Sequence, residues 1–330
     1  MWLDDILSRL VAEPCCGYRV GGTASVEPTA LAAMALAAHG RTEPAATALD
    51  WLARIQSADG SLGVTAVNAR PRWPTGWALL AWRAATRAER DAPEVSRTAE
   101  AGPARGHSRY GSMIERAATW ILSFQGCPSP PSPEVRHDTT LLAWPWVEGT
   151  HSWVEPTSIN LLALKACNYS EHSRARDAVR LLRDRALQTG GWNYGNREIF
   201  GTCLCPHIQP TGLALAALAG EESAAREIEL AVALLRRSLS PETATASLCY
   251  ALIGLAAQGE EAPQSDAWLE KAAQRTFEDG AAPYLLALLA LAALGRDCPW
   301  FTSPSRPSSS RKTFSPSPTV LSGGMHDPAQ

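Results

Sequence analysis

The sequence predicts an all-α fold, an (α/α)6 toroid in which a ring of six inner helices lies inside a ring of six outer helices. A short phrase, first seen at residues 26–36, occurs six times, and in every copy an alanine follows a threonine or tyrosine by six positions. Between the copies lie segments that carry charge on one side only. A helix that is apolar on all sides must be enclosed, so the repeated phrase predicts the inner ring. The six copies are anchored at Thr29, Thr75, Thr157, Thr211, Thr245 and Tyr284.

The helices are predicted to alternate between the two rings along the chain. The first outer helix has Leu3, Ile6 and Leu10 at helical spacing, and Gly40 ends the first inner helix. The later outer helices carry charge on one face, as the fourth one does. The later inner helices are apolar nearly all round, as the sixth one is. The outer helices are predicted at 2–12, 45–57, 112–125, 174–188, 224–239 and 266–277, and the inner helices at 29–39, 75–86, 157–167, 211–219, 245–258 and 284–294.

Proline precedes the anchor residue in five of the six copies. Proline is accepted in the first turn of a helix, where its missing N–H leaves no carbonyl unpaired. All inner helices are therefore expected to begin at one end of the ring. The long loops 13–26, 57–73, 126–154 and 189–209 should gather at that mouth, and loops on a rigid scaffold often carry functional sites.

Composition and charge limit the classes of function. Hydrophobic residues make up 45% of the 330 residues and charged residues 19%, with a net charge of −3, which gives no basic surface for nucleic acid. Neither a signal peptide nor an apolar run of about 18 residues is recognised. We therefore expect a cytoplasmic protein with reduced cysteines, and peripheral membrane contact stays open. The toroid is predicted over 1–296, with a mobile insertion at about 88–111 and a disordered Ser/Pro-rich tail at 297–330.

Two turns resemble those that end outer helices in the prenyltransferase and squalene-cyclase repeat superfamily. They are the segment Gln56-Ser57-Ala58-Asp59-Gly60-Ser61-Leu62, with Leu where that family has Trp, and the shorter copy Gln188-Thr189-Gly190-Gly191-Trp192. Together with the repeats, the resemblance covers nearly all of the chain to about residue 296. It implies a toroid that handles isoprenoids, although toroids of this type also serve as non-catalytic subunits.

In the cyclase branch of that superfamily, an acidic residue just before a conserved Thr protonates the substrate. The matching position here lies two residues before the anchor. It is acidic in only two of the six copies, where it holds Glu27 and Glu155. The resemblance implies Glu155 or Asp138 as proton donor, with His151 or Asp138 as orienting partner. A cyclisation acid must be protonated on arrival of the substrate, which requires burial. The alternative is that Glu27 and Glu155 only cap the N-termini of their helices, where the free N–H groups and the helix dipole favour a carboxylate.

Aromatic side chains are the candidates for substrate contact, since their faces stabilise a developing carbocation. The alternative is that the tryptophans only plug the mouth of the ring. The predicted substrate-binding set is Trp73, Trp144, Trp146, Trp153, Trp192, Tyr194 and Glu27.

A second candidate site is the segment 203–207, which contains Cys203, Cys205 and His207. In the protein-prenyltransferase branch a zinc ion is held by Asp, Cys and His at this end of the toroid, so zinc is a candidate cofactor. Extended residues two apart stand about 6.5 Å from each other, so the loop would have to fold tightly to place both thiolates on one zinc. The alternative is that these cysteines are structural.

The leading hypothesis is an isoprenoid-handling enzyme that resembles the squalene and terpenoid cyclases and starts cyclisation by protonation in an aromatic cavity. The alternatives are a zinc-dependent transferase like the prenyltransferase β-subunit, and a toroid that binds a lipid or a protein without chemistry. The expected partner is an isoprenoid or another hydrophobic small molecule, and a partner subunit stays open.

Overall fold

A computed structural model describes residues 2–91, 109–132 and 134–301. The described residues contain twelve α-helices and one small hairpin, which confirms the all-α prediction. The hairpin consists of β1 (Glu198–Ile199) and β2 (Thr202–Cys203), paired antiparallel. The helices are α1 (Trp2–Ala12), α2 (Val26–Ala38), α3 (Thr42–Ile55), α4 (Thr75–Asp91), α5 (Gly111–Ser123), α6 (Val154–Ala166), α7 (Ser173–Arg185), α8 (Ile208–Ala217), α9 (Ala225–Ser238), α10 (Thr245–Ala257), α11 (Ser265–Glu278) and α12 (Pro283–Ala292).

The helices fall into the two predicted classes. In α2 every residue from Val26 to Leu36 is buried, whereas α3 buries only Ala45, Ala48, Leu49 and Leu52. The same contrast separates α10 from α11. The even-numbered helices therefore form the core, and the odd-numbered helices cover it with one apolar face.

Each even-numbered helix packs against the next even-numbered helix, from α2 through to α12, and α12 packs against α2. The closest approach is between α8 and α10, where glycine permits backbone contact. A Cβ atom on Gly212 would lie 2.3 Å from the carbonyl oxygen of Tyr250, and one on Gly254 would lie 2.3 Å from that of Gly212. Side chains at these two positions would force the helices apart.

The last turns of neighbouring even-numbered helices are joined by side-chain hydrogen bonds. His39, after α2, lies 2.9 Å through Nε2 from the carbonyl oxygen of Ala290 in α12. Lys165 in α6 donates through Nζ to the carbonyl oxygen of Ala219, just after α8 (3.0 Å). These bonds join C-terminal ends to C-terminal ends, so the helices concerned run parallel.

The opposite end, where the even-numbered helices begin, is called the apical end. The loops that lead into these helices contact one another there. The amide of Val26 donates to the carbonyl oxygen of Val64 (2.9 Å), and the amide of Val154 donates to that of Tyr194 (3.0 Å). The predicted gathering of the long loops is consistent with these contacts.

In four of its five copies, the repeated threonine acts as a clamp on the loop that precedes its helix. Thr211 Oγ1 accepts from the amide of Trp192 at 2.9 Å and contacts the carbonyl oxygen of that residue at 3.1 Å. Thr29 makes the same pair of contacts with Cys16. Thr75 binds Leu62 in this way, and Thr157 accepts from Trp144. Because these loop amides are buried, they need such partners, which gives the recurring threonine a structural reason.

The packed part of the chain continues beyond residue 296, where the toroid was predicted to end. Cys298, Trp300 and Phe301 are buried in the core. The boundary predicted from the Ser/Pro-rich composition is therefore too early, because one or two buried aromatic residues hardly change the composition of a segment. Residues 302–330 of the predicted tail and 92–108 of the predicted insertion lie outside the described residues. Within the described ranges, no helix combines the length and apolar character that a membrane crossing requires.

Candidate functional site

Glu27 stands in the first turn of α2, and tyrosine hydroxyls surround its carboxyl group. Tyr18 donates to Oε2 of Glu27, and the hydroxyl of Tyr250 donates to Oε1 at 3.5 Å. The pKa of Glu27 is raised to about 7, because the effect of burial exceeds that of the hydrogen bonds from Tyr18 and Tyr250, which lower it. At neutral pH this group therefore exists both as the acid and as the carboxylate.

Glu155 occupies the equivalent position in the first turn of α6 and is also buried. Its Oε1 accepts a hydrogen bond from Nε2 of Gln209 at 3.4 Å. The pKa of Glu155 is raised to about 8. Burial is the main cause and the charge of Glu27 adds to it, whereas the bond from Gln209 lowers the pKa. We call Glu27 and Glu155 the carboxyl pair. Glu155 is mainly protonated at pH 7, as a general acid must be.

Three tyrosines lie near Glu27, and each also interacts electrostatically with Glu155. The rings of Tyr18 and Tyr284 are 5.3 Å apart, and the hydroxyls of Tyr284 and Tyr250 are 3.4 Å apart. Burial is the main reason why the pKa of each of these tyrosines lies well above its ordinary value. The tyrosines therefore stay neutral and offer hydroxyl donors and aromatic faces to the same space.

Behind the carboxyl pair, the interior between the even-numbered helices is filled by aromatic side chains. Trp300 lies with its ring centroid 4.8 Å from that of Trp77 and 5.5 Å from that of Tyr250. All three side chains are fully or almost fully buried. A cleft of about 910 Å³ lies elsewhere, along α9 and the last residues of α10, and its lining does not include the carboxyl pair. Because Glu27 and Glu155 lie in the first turns of α2 and α6, the pair stands at the apical end.

Two of the three predicted catalytic residues do not take part in this arrangement. Asp138 is exposed, and its Oδ1 accepts from the amide (2.9 Å) and the hydroxyl of Thr140, bonds that lower its pKa. An exposed carboxyl with a lowered pKa is ionised at neutral pH, which does not favour Asp138 as the proton donor, and its catalytic role stays a prediction. His151 is also exposed and packs on Trp153 at 4.3 Å between ring centroids. The bond that orients Glu155 comes from Gln209.

The predicted substrate-binding tryptophans divide into a buried and a half-buried group. Trp144 and Trp192 are fully buried and donate through Nε1 to the carbonyl oxygens of Ile121 (2.9 Å) and Leu182 (2.7 Å). Both belong to the loops held by the repeated threonine, and each is bonded to an outer helix or its end. These contacts give the two tryptophans a structural role, and their contact with a substrate stays a prediction.

The second group lies in the loops at the apical end. Trp73 precedes α4, is half-buried, and contacts Trp146 edge-on at 4.7 Å between ring centroids. Trp153 directly precedes α6 and is half-buried. Tyr194 is more exposed and contacts His207 at 5.4 Å. These four aromatic residues form a partly accessible rim.

The predicted zinc ligands do not converge. Cys203 lies in β2 and contacts Oε2 of Glu198 at 4.0 Å, Cys205 is exposed two residues later, and the ring of His207 packs on Tyr194. Across residues 2–91, 109–132 and 134–301, no group of three or more His, Cys, Asp or Glu side chains could hold a metal ion. The extended path of the segment through β2 explains why, since it separates alternate side chains.

The site contains residues that the sequence patterns did not indicate. Gln209 occupies the same position before its anchor as Glu27 and Glu155, so the repeat could have revealed it. Tyr284 is the one anchor that is not threonine, which was also a visible signal. Tyr18 lies in a loop outside the repeat and could be found only from the structure.

A scan of protein-family models finds none that matches the chain, and a search of curated proteins finds no match either.

Proposed function

We propose that the chain is an (α/α)6 toroid of the prenyltransferase and squalene-cyclase repeat type, and that it protonates an alkene of an isoprenoid or a similar apolar substrate. The order of contacts from α2 to α12 and back to α2 supports the toroid, as do the bonds between C-terminal ends. The observation that carries the function is the buried carboxyl pair at the first turns of α2 and α6, in which tyrosine hydroxyls bind Glu27 and the amide of Gln209 binds Glu155.

In the proposed step, Glu155 gives its proton to one carbon of the alkene, and the other carbon becomes a carbocation. The aromatic faces of Tyr18, Tyr250 and Tyr284 stabilise this cation, and the new carboxylate of Glu155 adds electrostatic stabilisation. Loss of a proton from a neighbouring carbon then forms the new alkene. Glu27 in its ionised form accepts that proton, so isomerisation or cyclisation needs no further reactant.

The packing limits the size of the reacting group. Because the rings of Trp300, Trp77 and Tyr250 pack together in the interior, we infer that only the end of a substrate reaches the carboxyl pair. The remainder would lie on the half-buried surfaces of Trp73 and Trp146 at the apical end. We therefore propose a substrate with a reactive terminal alkene and a flexible apolar chain, not one that is fully enclosed.

The test is to incubate the purified full chain with linear polyprenes of several lengths and to analyse the products by gas chromatography and mass spectrometry. We expect isomerised or cyclised product from the natural chain and from Glu115→Gln, which changes an exposed carboxyl on α5. Glu155→Gln should reduce the rate by at least a hundredfold, the lower range for loss of a general acid. Equal rates for Glu155→Gln and the natural chain would overturn the proposal.

A second candidate is a toroid that binds a lipid or a protein without chemistry. The filled interior favours it, since Trp77 and Trp300 occupy the space that a deep substrate cavity would require. Absence of product from every polyprene, with the chain folded, would favour this candidate.

A further inference from the structure

The last described residues of the chain cross the end of the fold that lies opposite the apical end, which we call the basal end. Arg296 donates through Nη2 to the carbonyl oxygen of Gly259, which follows α10. Pro299 accepts a hydrogen bond at its carbonyl oxygen from Nη2 of Arg87 in α4 (3.3 Å). Residues 295–301 are called the crossing segment, because they run across the basal end from α10 to α4.

The crossing segment places Trp300 between two helices that are not neighbours. The centroid of its ring lies 4.8 Å from that of Trp77 in α4 and 5.5 Å from that of Tyr250 in α10. In the order of contacts among the even-numbered helices, α4 and α10 are separated by α6 and α8 on one side and by α2 and α12 on the other. Trp300 therefore lies in the middle of these helices, although it belongs to none of them.

The two tryptophans at this centre differ from the other fully buried tryptophans in their hydrogen bonds. Trp82, Trp144 and Trp192 each donate through Nε1 to a carbonyl oxygen, at 3.2, 2.9 and 2.7 Å. Nε1 of Trp77 and Nε1 of Trp300 are also buried, but they have no partner within the described part of the chain. Buried polar groups nearly always have one, and an unmatched donor costs stability. The centre therefore favours a molecule that brings an acceptor.

The contacts that hold the crossing segment in place can be given up without breaking a bond between the helices. Its hydrogen bonds to the helices come from side chains near the surface, since Arg296 is exposed and Arg87 is half-buried. What else holds the segment is the burial of Cys298, Trp300 and Phe301. A ligand that buries a similar apolar area in the same place offsets the loss of that burial.

We propose that Trp300 is a removable plug, and that its withdrawal opens a binding site among the even-numbered helices for an apolar ligand that carries one hydrogen-bond acceptor. The apolar part of the ligand takes the place of the indole ring beside Tyr250, and its acceptor binds Nε1 of Trp77. Because the hydroxyl of Tyr250 donates to Glu27 at 3.5 Å, the ligand lies close to the carboxyl pair. That this ligand is the substrate rests on the proposed function, whereas the binding site does not.

Two arginines of α4 offer a matched pair for testing the plug. Both are half-buried and stand four residues apart, and each donates to a backbone carbonyl oxygen. Arg87 binds Pro299 in the crossing segment, whereas Arg83 binds Ala166 at the end of α6 (2.9 Å). When a site is open only part of the time, its apparent dissociation constant is the intrinsic one divided by the open fraction. Loosening the crossing segment should therefore tighten the binding of a ligand.

The test is equilibrium dialysis of the full chain with acetophenone, which is an aromatic ring with one carbonyl acceptor. We expect Arg87→Met to bind acetophenone about two to ten times more tightly than the natural chain, because the crossing segment has lost one hydrogen bond. Arg83→Met should bind as the natural chain does. Trp300→Ala should bind acetophenone most tightly, and adding Arg87→Met to it should change nothing, because the plug is already gone.

A second measurement tests the donor with isopropylbenzene, which has nearly the shape of acetophenone but no acceptor. In chains that carry Trp300→Ala, Trp77→Phe should lower the affinity for acetophenone relative to that for isopropylbenzene by about two to ten times. Trp192→Ala is the control for a cavity opened elsewhere, since Trp192 donates to Leu182. In that chain Trp77→Phe should leave the ratio of the two affinities unchanged.

The proposal is overturned if no chain binds acetophenone, if Arg87→Met binds it no more tightly than the natural chain, or if Arg83→Met has the same effect. A ratio that does not respond to Trp77→Phe would overturn the part assigned to the indole donor. Arg87→Met keeps every buried side chain, so its result decides even where Trp300→Ala does not fold. Neither probe carries an alkene outside its aromatic ring, so binding and the proposed protonation can fail independently.

Discussion

Replacing Glu155 with glutamine should change how the stability of the protein depends on pH. The folded protein raises the pKa of Glu155 from 4.5 to about 8, because burial and the charge of Glu27 disfavour the ionised form. The folded state therefore holds a proton that the unfolded state has released between these two pH values. The contribution of Glu155 to the free energy of unfolding is fully present below pH 4.5 and is lost as the pH rises towards 8.

The size of the effect follows from the same pKa values. Each pH unit of difference between the folded and unfolded pKa is worth about 1.4 kcal/mol, so the loss amounts to about 5 kcal/mol above pH 8 and about 3 kcal/mol at pH 7. Typical domains have only about 5–15 kcal/mol of net stability. Glutamine has nearly the shape of the protonated acid and does not titrate. Glu155→Gln should therefore gain stability relative to the natural chain as the pH rises.

Urea denaturation of both chains at several values between pH 5 and pH 9 measures this difference. We expect similar free energies of unfolding near pH 5 and a growing advantage of Glu155→Gln up to about pH 8. Glu115→Gln, which alters an exposed carboxyl, is the matched control and should follow the natural chain. The reasoning is refuted if the stability advantage of Glu155→Gln does not grow with pH. Glu155 would then have no raised pKa and would not be protonated at neutral pH, as a proton donor must be.

Three further changes test the fold around the site. Thr211→Val should lower the free energy of unfolding by about 1–3 kcal/mol, because the buried amide of Trp192 loses its acceptor, and Thr211→Ser should restore most of it in urea titrations. Trp300→Ala should cost about 3–5 kcal/mol by the same measurement, since it opens a cavity in the aromatic interior, and a cost below about 1 kcal/mol would show that this side chain is not packed as described. Replacing both Cys203 and Cys205 with serine should change stability by less than about 0.5 kcal/mol, because both are exposed, and a larger loss on melting would reveal a structural role for them.

The helix pairs could be predicted from the sequence because an enclosed helix is apolar on all sides, whereas a half-exposed helix has one apolar and one charged face. The repeated threonine was visible as a pattern, but its clamp on the preceding loop was not. Glu155 could be singled out because the repeat aligns it with Glu27 and Gln209. Its tyrosine neighbours could not, since Tyr250 and Glu27 are far apart in the chain and meet only through the packing of α10 beside α12 and of α12 beside α2.

The surroundings of the candidate residues in the loops could not be predicted, because the direction of a loop side chain depends on local bonds. Asp138 accepts a hydrogen bond from the backbone amide of Thr140, two residues on, a common local turn that keeps the aspartate at the surface. Trp144 was assigned to a substrate surface by residue type alone. Its burial depends on the bond to Ile121 and on the guanidinium of Arg174, which lies 4.4 Å from its ring centroid, and neither contact has a sequence signature.

The position two residues before each anchor separates what the fold requires from what the site adds. In α8 this position holds Gln209, a neutral amide, and the helix begins there as it does in α2 and α6. The fold therefore does not need a carboxyl group at this point. Yet Glu27 and Glu155 have one, although holding Glu155 protonated in the folded state at neutral pH costs stability that Gln would not. A destabilising group kept where a neutral substitute is already accommodated favours a chemical role for the pair over a structural one.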